Sequence, residues 1–156
     1  MTNSKTKPIR RAEYLKQLSR DHHHGLLLGW KIRQGIQKKI APDRIHNYVK
    51  WFFESYLQNH FEIEEKLVYP ILGASDSNIK KAIDEHKCMK ELVFGDGDLL
   101  SRMVRLSFDM EGHIRFEERI LFNLIQQKAT EEDISQLLAL DIQEPFIENT
   151  DQFWIQ

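Results

Sequence analysis

Residues Leu106 to Leu124 read LSFDMEGHIRFEERILFNL, with no proline to interrupt a helix. At about 100° per residue, Leu106, Met110, His113, Glu117, Ile120 and Leu124 fall on one face. The stretch is therefore a helix whose apolar stripe carries a histidine and, one turn later, a glutamate. An isolated His-x-x-x-Glu pair is a common surface coincidence. On an inward face it is not, because a buried unpaired carboxylate costs several kcal/mol or is forced neutral.

The same device occurs upstream, where Phe53, Leu57, His60, Glu64 and Leu67 share a face. Residues one turn apart are neighbours, so each pair can serve one cation or two adjacent ones. Two further helical stretches each add an inward histidine. His86 lines up with Ile79, Ala82 and Val93. In Asp21-His22-His23-His24, the stripe of Leu15, Leu18, Leu26, Gly29 and Ile36 puts His22 at its centre, His23 to one side and His24 nearly opposite. His22 is the candidate and His23 the reserve. Four imidazoles and two carboxylates gathered inside a bundle call for a metal, and imidazole suits iron, copper, zinc and nickel.

The connections define four long helices. Ser19 caps the first, which reaches about Ile40 before Ala41-Pro42. A short helical stretch over residues 9–17, with Ile9, Ala12 and Leu15 on one face, precedes it. Asp43 caps the second, which runs to about Leu72, with Pro70 bending or finishing it. Gly73-Ala74-Ser75-Asp76 is a turn, the third helix runs from Asp76 or Ser77 to about Phe94, and Gly95-Asp96-Gly97-Asp98 is the clearest turn. The fourth covers about Leu99 to Lys128. Thr130 and Asp133 form a capping box for a short fifth helix to about Leu140, and a tail bearing Phe146, Phe153 and Trp154 lies on the bundle. Short connections imply antiparallel neighbours. The expected fold is all-α, an antiparallel up-down-up-down four-helix bundle with a short C-terminal fifth helix and tail. Residues 1–9 are a flexible leader and 10–156 a single domain, with the core bundle over about 18–128.

Composition narrows the function classes. The chain has 156 residues, 41% hydrophobic and 29% charged, with seven histidines and a net charge of −2. With a pI near 6.4, no basic surface recommends a nucleic-acid or acidic-membrane partner. No run approaches the roughly 18 apolar residues of a membrane helix, and no export signal is expected. A single cysteine, Cys88, fits a reducing, cytoplasmic setting.

The sequence resembles the hemerythrin-like, or HHE cation-binding, family. The resemblance is carried by Leu18-Ser19-Arg20-Asp21-His22-His23, by His60-Phe61-Glu62-Ile63-Glu64-Glu65 with Tyr69-Pro70, by Glu85-His86, and by His113-Ile114-Arg115-Phe116-Glu117-Glu118-Arg119 with Leu121-Phe122. It spans roughly residues 10–128. It implies a non-haem di-iron centre in which His22, His60, His86 and His113 are terminal ligands, Glu64 and Glu117 bridge two irons, and a solvent-derived oxo or hydroxo bridge completes the arrangement.

One departure matters. The oxygen-carrying hemerythrins have a second histidine one turn after the third-helix ligand, and Lys90 stands there in this chain. A protonated amine cannot ligate, so Lys90 either faces the centre without binding or extends to solvent. With four histidines, two per iron, both metals are expected to keep an open position. The implied function is a di-iron protein that binds or senses dioxygen, nitric oxide or iron, as a monomer or small homo-oligomer. The alternative is a di-iron oxidoreductase with peroxidase, oxidase or nitric-oxide-processing activity. A ferritin-like carboxylate centre is disfavoured, since that class uses Glu-x-x-His and mostly carboxylates.

Other residues carry two readings. Tyr56 either donates a hydrogen bond to the centre or is a core tyrosine with a surface hydroxyl. Asp109 either orients His113 or is an exposed helix charge. His46 is structural, and Glu65 and Glu118 lie in solvent or in salt bridges. Trp51, Phe52, Phe53 and Phe61 fill the core.

Overall fold

The computed structural model of the chain describes residues 11–140 and 145–155; the proposed leader lies outside the described residues. All regular structure among them is helical. Helix α1 is Glu13–Gln37, α2 spans 42–71, α3 is Ser77–Phe94, α4 spans 99–128 and α5 is Glu131–Leu138, followed by a 3-10 turn at Phe153–Ile155. No helix among them is long and apolar enough to cross a membrane.

The start of α1 corrects the sequence reading. Ser19 caps nothing, and one continuous helix from Glu13 replaces a short stretch followed by a long one, residues 9 and 10 of that stretch lying outside the described residues. No glycine or proline interrupts residues 13–24, and Leu15 and Leu18 are both buried, so the earlier turn keeps its apolar contact. Arg11 secures the approach to this helix by bonding the Glu118 carboxylate at 2.9 Å and Asn123 and Gln126 on α4. Leu26 is also misplaced: it is exposed, because the buried face centres on Gly25 and Gly29, where α1 meets α4. A Cβ on Gly29 would lie 3.1 Å from the Ser107 carbonyl oxygen, so the glycine permits that approach.

The remaining helix starts reflect local chemistry. Pro42 occupies the first turn of α2, where its missing N–H costs nothing, and Ala41 rather than Asp43 precedes it. Asp76 accepts from the backbone of Asn78 and Ile79 at the head of α3. Asp98 accepts from Ser101 at the head of α4. Thr130 and Asp133 make the reciprocal capping box of α5.

Helices α2 and α4 are not regular throughout. Helix α2 contains π-helical turns at Phe53–Leu57 and Glu64–Val68 and ends in a 3-10 turn at Tyr69–Ile71 that holds Pro70. Helix α4 contains one π turn at Glu117–Leu121. Each π turn takes up an extra residue and rotates the helix beyond it. Val68 rather than Leu67, and Leu121 and Ile125 rather than Ile120 and Leu124, therefore reach full burial.

The apolar core is split in two. One cluster gathers Leu28, Ile32, Tyr48, Phe52, Phe61, Met103 and Met110 with the tail residues Phe153 and Trp154. The other gathers Leu15, Leu18, Val68, Leu72, Ile79, Leu121, Phe122 and Leu137. The expected tail docking holds for the described residues: Phe153 packs where Gly35 leaves room, and Lys31 bonds Glu148 at 2.7 Å beneath Trp154. Buried polar side chains separate the two clusters along each of the four long helices.

Candidate metal centre

All six residues singled out from the helical faces meet there. His22, His60, His86 and His113 are each at most 5% exposed, and Glu64 and Glu117 are fully buried. They form two groups that share both glutamates: His22 and His60 with Glu64 and Glu117, and His86 and His113 with the same pair. His23 is exposed, and the half-buried His24 stacks on Phe146 with ring centroids 4.3 Å apart.

Glu117 spans the two groups. Its Oε1 lies 2.6 Å from His113 Nε2, and its Oε2 lies 3.0 Å from His22 Nε2. Glu64 Oε1 sits between His60 Nε2 at 3.1 Å and His86 Nε2 at 3.4 Å. Both glutamates open a π turn. Such turns recur at functional sites because they re-aim side chains that a regular helix would stack.

Each imidazole is held from behind. His22 Nδ1 lies 2.7 Å from Glu118, His60 Nδ1 3.1 Å from Asp21, His86 Nδ1 3.2 Å from Glu65, and His113 Nδ1 3.0 Å from Glu85. The pairs run in a ring, α1 serving α2, α2 serving α3, α3 serving α4, and α4 serving α1. Every one of these acids adjoins a centre residue in sequence: Asp21-His22, Glu64-Glu65, Glu85-His86 and Glu117-Glu118. A carboxylate that accepts a hydrogen bond from Nδ1–H leaves the Nε2 lone pair facing inward, the arrangement typical of metal-bound histidine.

The inner atoms lack partners. His22 Nε2, both oxygens of Glu64 and Glu117 Oε2 are buried with no hydrogen-bond partner among the described residues. His86 Nε2 and His113 Nε2 stand 3.0 Å apart, so two inward lone pairs repel unless a proton or a metal cation lies between them. Unpaired buried polar atoms are costly. Here they converge, and the donor set therefore fits a metal.

Without a metal, protons hold the cluster together. Burial opposes charge on His22, but the carboxylates of Glu117 and Glu118 on either side of its ring outweigh it and raise its pKa to about 9. Burial likewise opposes charge on His86, and Glu117, Glu64 and Glu65 push it up to about 10. His60 lies well above its ordinary range through Glu64 and Asp21, against its burial. Glu117, despite complete burial, is held well below the usual carboxylate range by the charge on His113.

Several secondary assignments resolve. The Tyr56 hydroxyl bonds the backbone of Ile147, away from the centre, and Asp109 pairs with Arg105. His46 bonds the Val93 carbonyl at 2.6 Å, a structural role. Phe52, Phe53 and Phe61 are buried, and Phe61 stacks on the His86 ring with centroids 3.7 Å apart. Lys90 is half-buried, and its charge acts on Glu65. Glu65 and Glu118 are in salt bridges, the second of the two alternatives, and their partners His86 and His22 make them orienting groups for the centre. The helical stripes do not single out Tyr69, yet its buried hydroxyl donates to Glu117 Oε1 and lies 3.2 Å from His86 Nε2. The π turn at Glu64–Val68 hides this residue from a 3.6-residue reading.

The sequence model of the hemerythrin HHE cation binding domain matches residues 13–96, more than half of the chain. No curated protein and no solved structure gives a significant match.

Proposed function

Because the chain belongs to the hemerythrin HHE cation-binding family, we propose that its metal-binding cluster is a non-haem di-iron centre that binds or senses dioxygen, nitric oxide or iron. In this reading the four long helices alternate in direction, His22 and His60 hold one iron, His86 and His113 hold the other, and Glu64 and Glu117 bridge them beside a solvent-derived oxo or hydroxo group.

The observation that carries the reading is the pair of donor groups sharing two buried glutamates whose inner oxygens are almost all unpartnered. Two cations so close together need bridging anions between them, and the fully buried Glu64 and Glu117 stand where both groups meet. Bound iron would supply Lewis acidity and one-electron redox chemistry. The protein's part is to fix the inward tautomer of each imidazole through Asp21, Glu65, Glu85 and Glu118. The apolar clusters on either side keep bulk water from the inner donors.

A second reading, a di-iron oxidoreductase with peroxidase, oxidase or nitric-oxide-processing activity, is favoured by one feature. A cavity of about 350 Å³ reaches His60 and Asp21 beside His24, Leu57 and Phe146, within the size range of small-molecule sites. The lone Cys88, exposed and unpaired by any disulfide, supports a cytoplasmic setting, and a monomer or small homo-oligomer suffices for either reading.

The test is iron loading followed by spectroscopy under dioxygen and nitric oxide. Reversible spectral change without turnover supports binding or sensing. Steady consumption of peroxide or nitric oxide supports the oxidoreductase. Iron uptake well short of two per chain contradicts both.

A further inference from the structure

The two donor groups are unequal, and Tyr69 makes the difference. It is 1% exposed and sits in the apolar cluster with Val68, Leu72 and Ile79. A phenylalanine would satisfy that packing. Yet the hydroxyl is turned toward the polar centre, where it donates to Glu117 Oε1 and lies 3.2 Å from His86 Nε2. The phenol ring stacks on the His86 imidazole with centroids 5.6 Å apart, which fixes that direction. The π turn at Glu64–Val68 delivers it, because Tyr69 comes five residues after Glu64.

The spacing around this oxygen is that of donors sharing an ion. His86 Nε2 lies 3.2 Å from Tyr69 Oη, 3.0 Å from His113 Nε2 and 3.4 Å from Glu64 Oε1. Donors at bonds of about 2.1 Å and right angles to each other stand about 3 Å apart. None of the other three tyrosines bonds the His22–His60 group: Tyr14 packs against the Leu15–Leu137 cluster near Asp133, Tyr56 bonds Ile147, and Tyr48 bonds Glu148 at 2.6 Å.

Resting on the di-iron reading, we propose that Tyr69 is a fifth protein ligand to the His86–His113 metal, bound as phenolate, so that this iron is closed while the His22–His60 iron has four protein donors. Coordination exchanges the phenolic proton, which leaves to solvent, for a bond to the metal, with no change in oxidation state. The chain thus replaces in kind the donor lost at Lys90, with an oxygen from α2 instead of a nitrogen from α3. The expectation that both metals keep an open position is accordingly revised.

The test compares the intact chain with Tyr69→Phe and Tyr56→Phe, each loaded with iron and oxidised, by metal analysis, visible absorption and resonance Raman spectroscopy. The intact chain and Tyr56→Phe are expected to give a phenolate-to-iron(III) charge-transfer band with enhanced phenolate ring modes. Tyr69→Phe keeps the ring and is expected to fold, to hold iron and to lack those modes. Azide added to the intact ferric protein is expected to bind at one equivalent per chain. Two irons per chain without phenolate modes, or modes that persist in Tyr69→Phe, overturn the ligand assignment and leave the di-iron centre standing. Failure of the intact chain to take up iron overturns both.

Discussion

The two halves of the centre are built alike and finished differently. In each half one imidazole comes from a regular helix, His22 on α1 or His86 on α3, and the other opens a His-x-x-x-Glu pair on a helix with a π turn, His60 on α2 or His113 on α4. Each imidazole has a carboxylate behind it. Among the described residues, only the second half has a phenol aimed at its donors. The likeness says that both halves must present neutral nitrogens to a cation. The difference says that the cations need not have the same number of protein bonds.

The largest effect should come from removing what the halves share. Glu117→Ala deletes a donor from both groups, so metal content should fall to near zero, whereas His60→Ala and His113→Ala should each chiefly empty one half. A Glu117→Ala protein that keeps full metal content would break the shared-bridge account. The metal-free chain should also lose stability in a definite pH window. The folded-state pKa values of His22 and His86 are raised to about 9 and about 10, so their contribution is full below the unfolded value near 6.5 and is lost as pH rises through 9 to 10. Metal replaces those protons, so the metal-loaded chain should escape the alkaline loss. Thermal unfolding from pH 7 to pH 10.5, with and without metal, measures the gap, which should widen with pH. At metal concentrations a hundredfold above Kd the loaded form should gain about 2.7 kcal/mol.

Next in size are the outer carboxylates. Glu118→Gln and Glu85→Gln should each lower metal affinity by roughly 10–100-fold, one in each half. Titration with a competing chelator reads this, and unchanged affinity in both would reduce the ring of pairs to ordinary salt bridges. The smallest expected effect is at His23: His23→Ala should leave metal content unchanged. Loss of metal there, with His22→Ala retaining it, would mean that α1 is turned by one residue.

How much was legible in the sequence depends on the period of the helix. Where α1, α3 and the first part of α4 are regular, a 3.6-residue stripe places His22, His86 and His113 correctly on the buried face. It fails after the π turns, where Leu67, Ile120 and Leu124 were expected inside and Val68, Leu121 and Ile125 are found there. Tyr69 was lost for the same reason. Glu65 and Glu118 escaped because an acid beside a buried residue on one helix looks like a flank charge; only the neighbouring helix makes it a partner. Asp76 and Thr130 were readable as caps, since a cap needs only local backbone. The start of α1 was not, because nothing local distinguishes Ser19 as a cap from Ser19 inside a helix that Leu15 and Leu18 extend.

The most direct test of the centre is its metal stoichiometry. The chain, loaded with iron and freed of excess, should carry two irons per molecule, and Glu64→Ala should carry almost none. One iron in the intact chain, or full retention after Glu64 is removed, would contradict a dinuclear centre bridged by the shared glutamates.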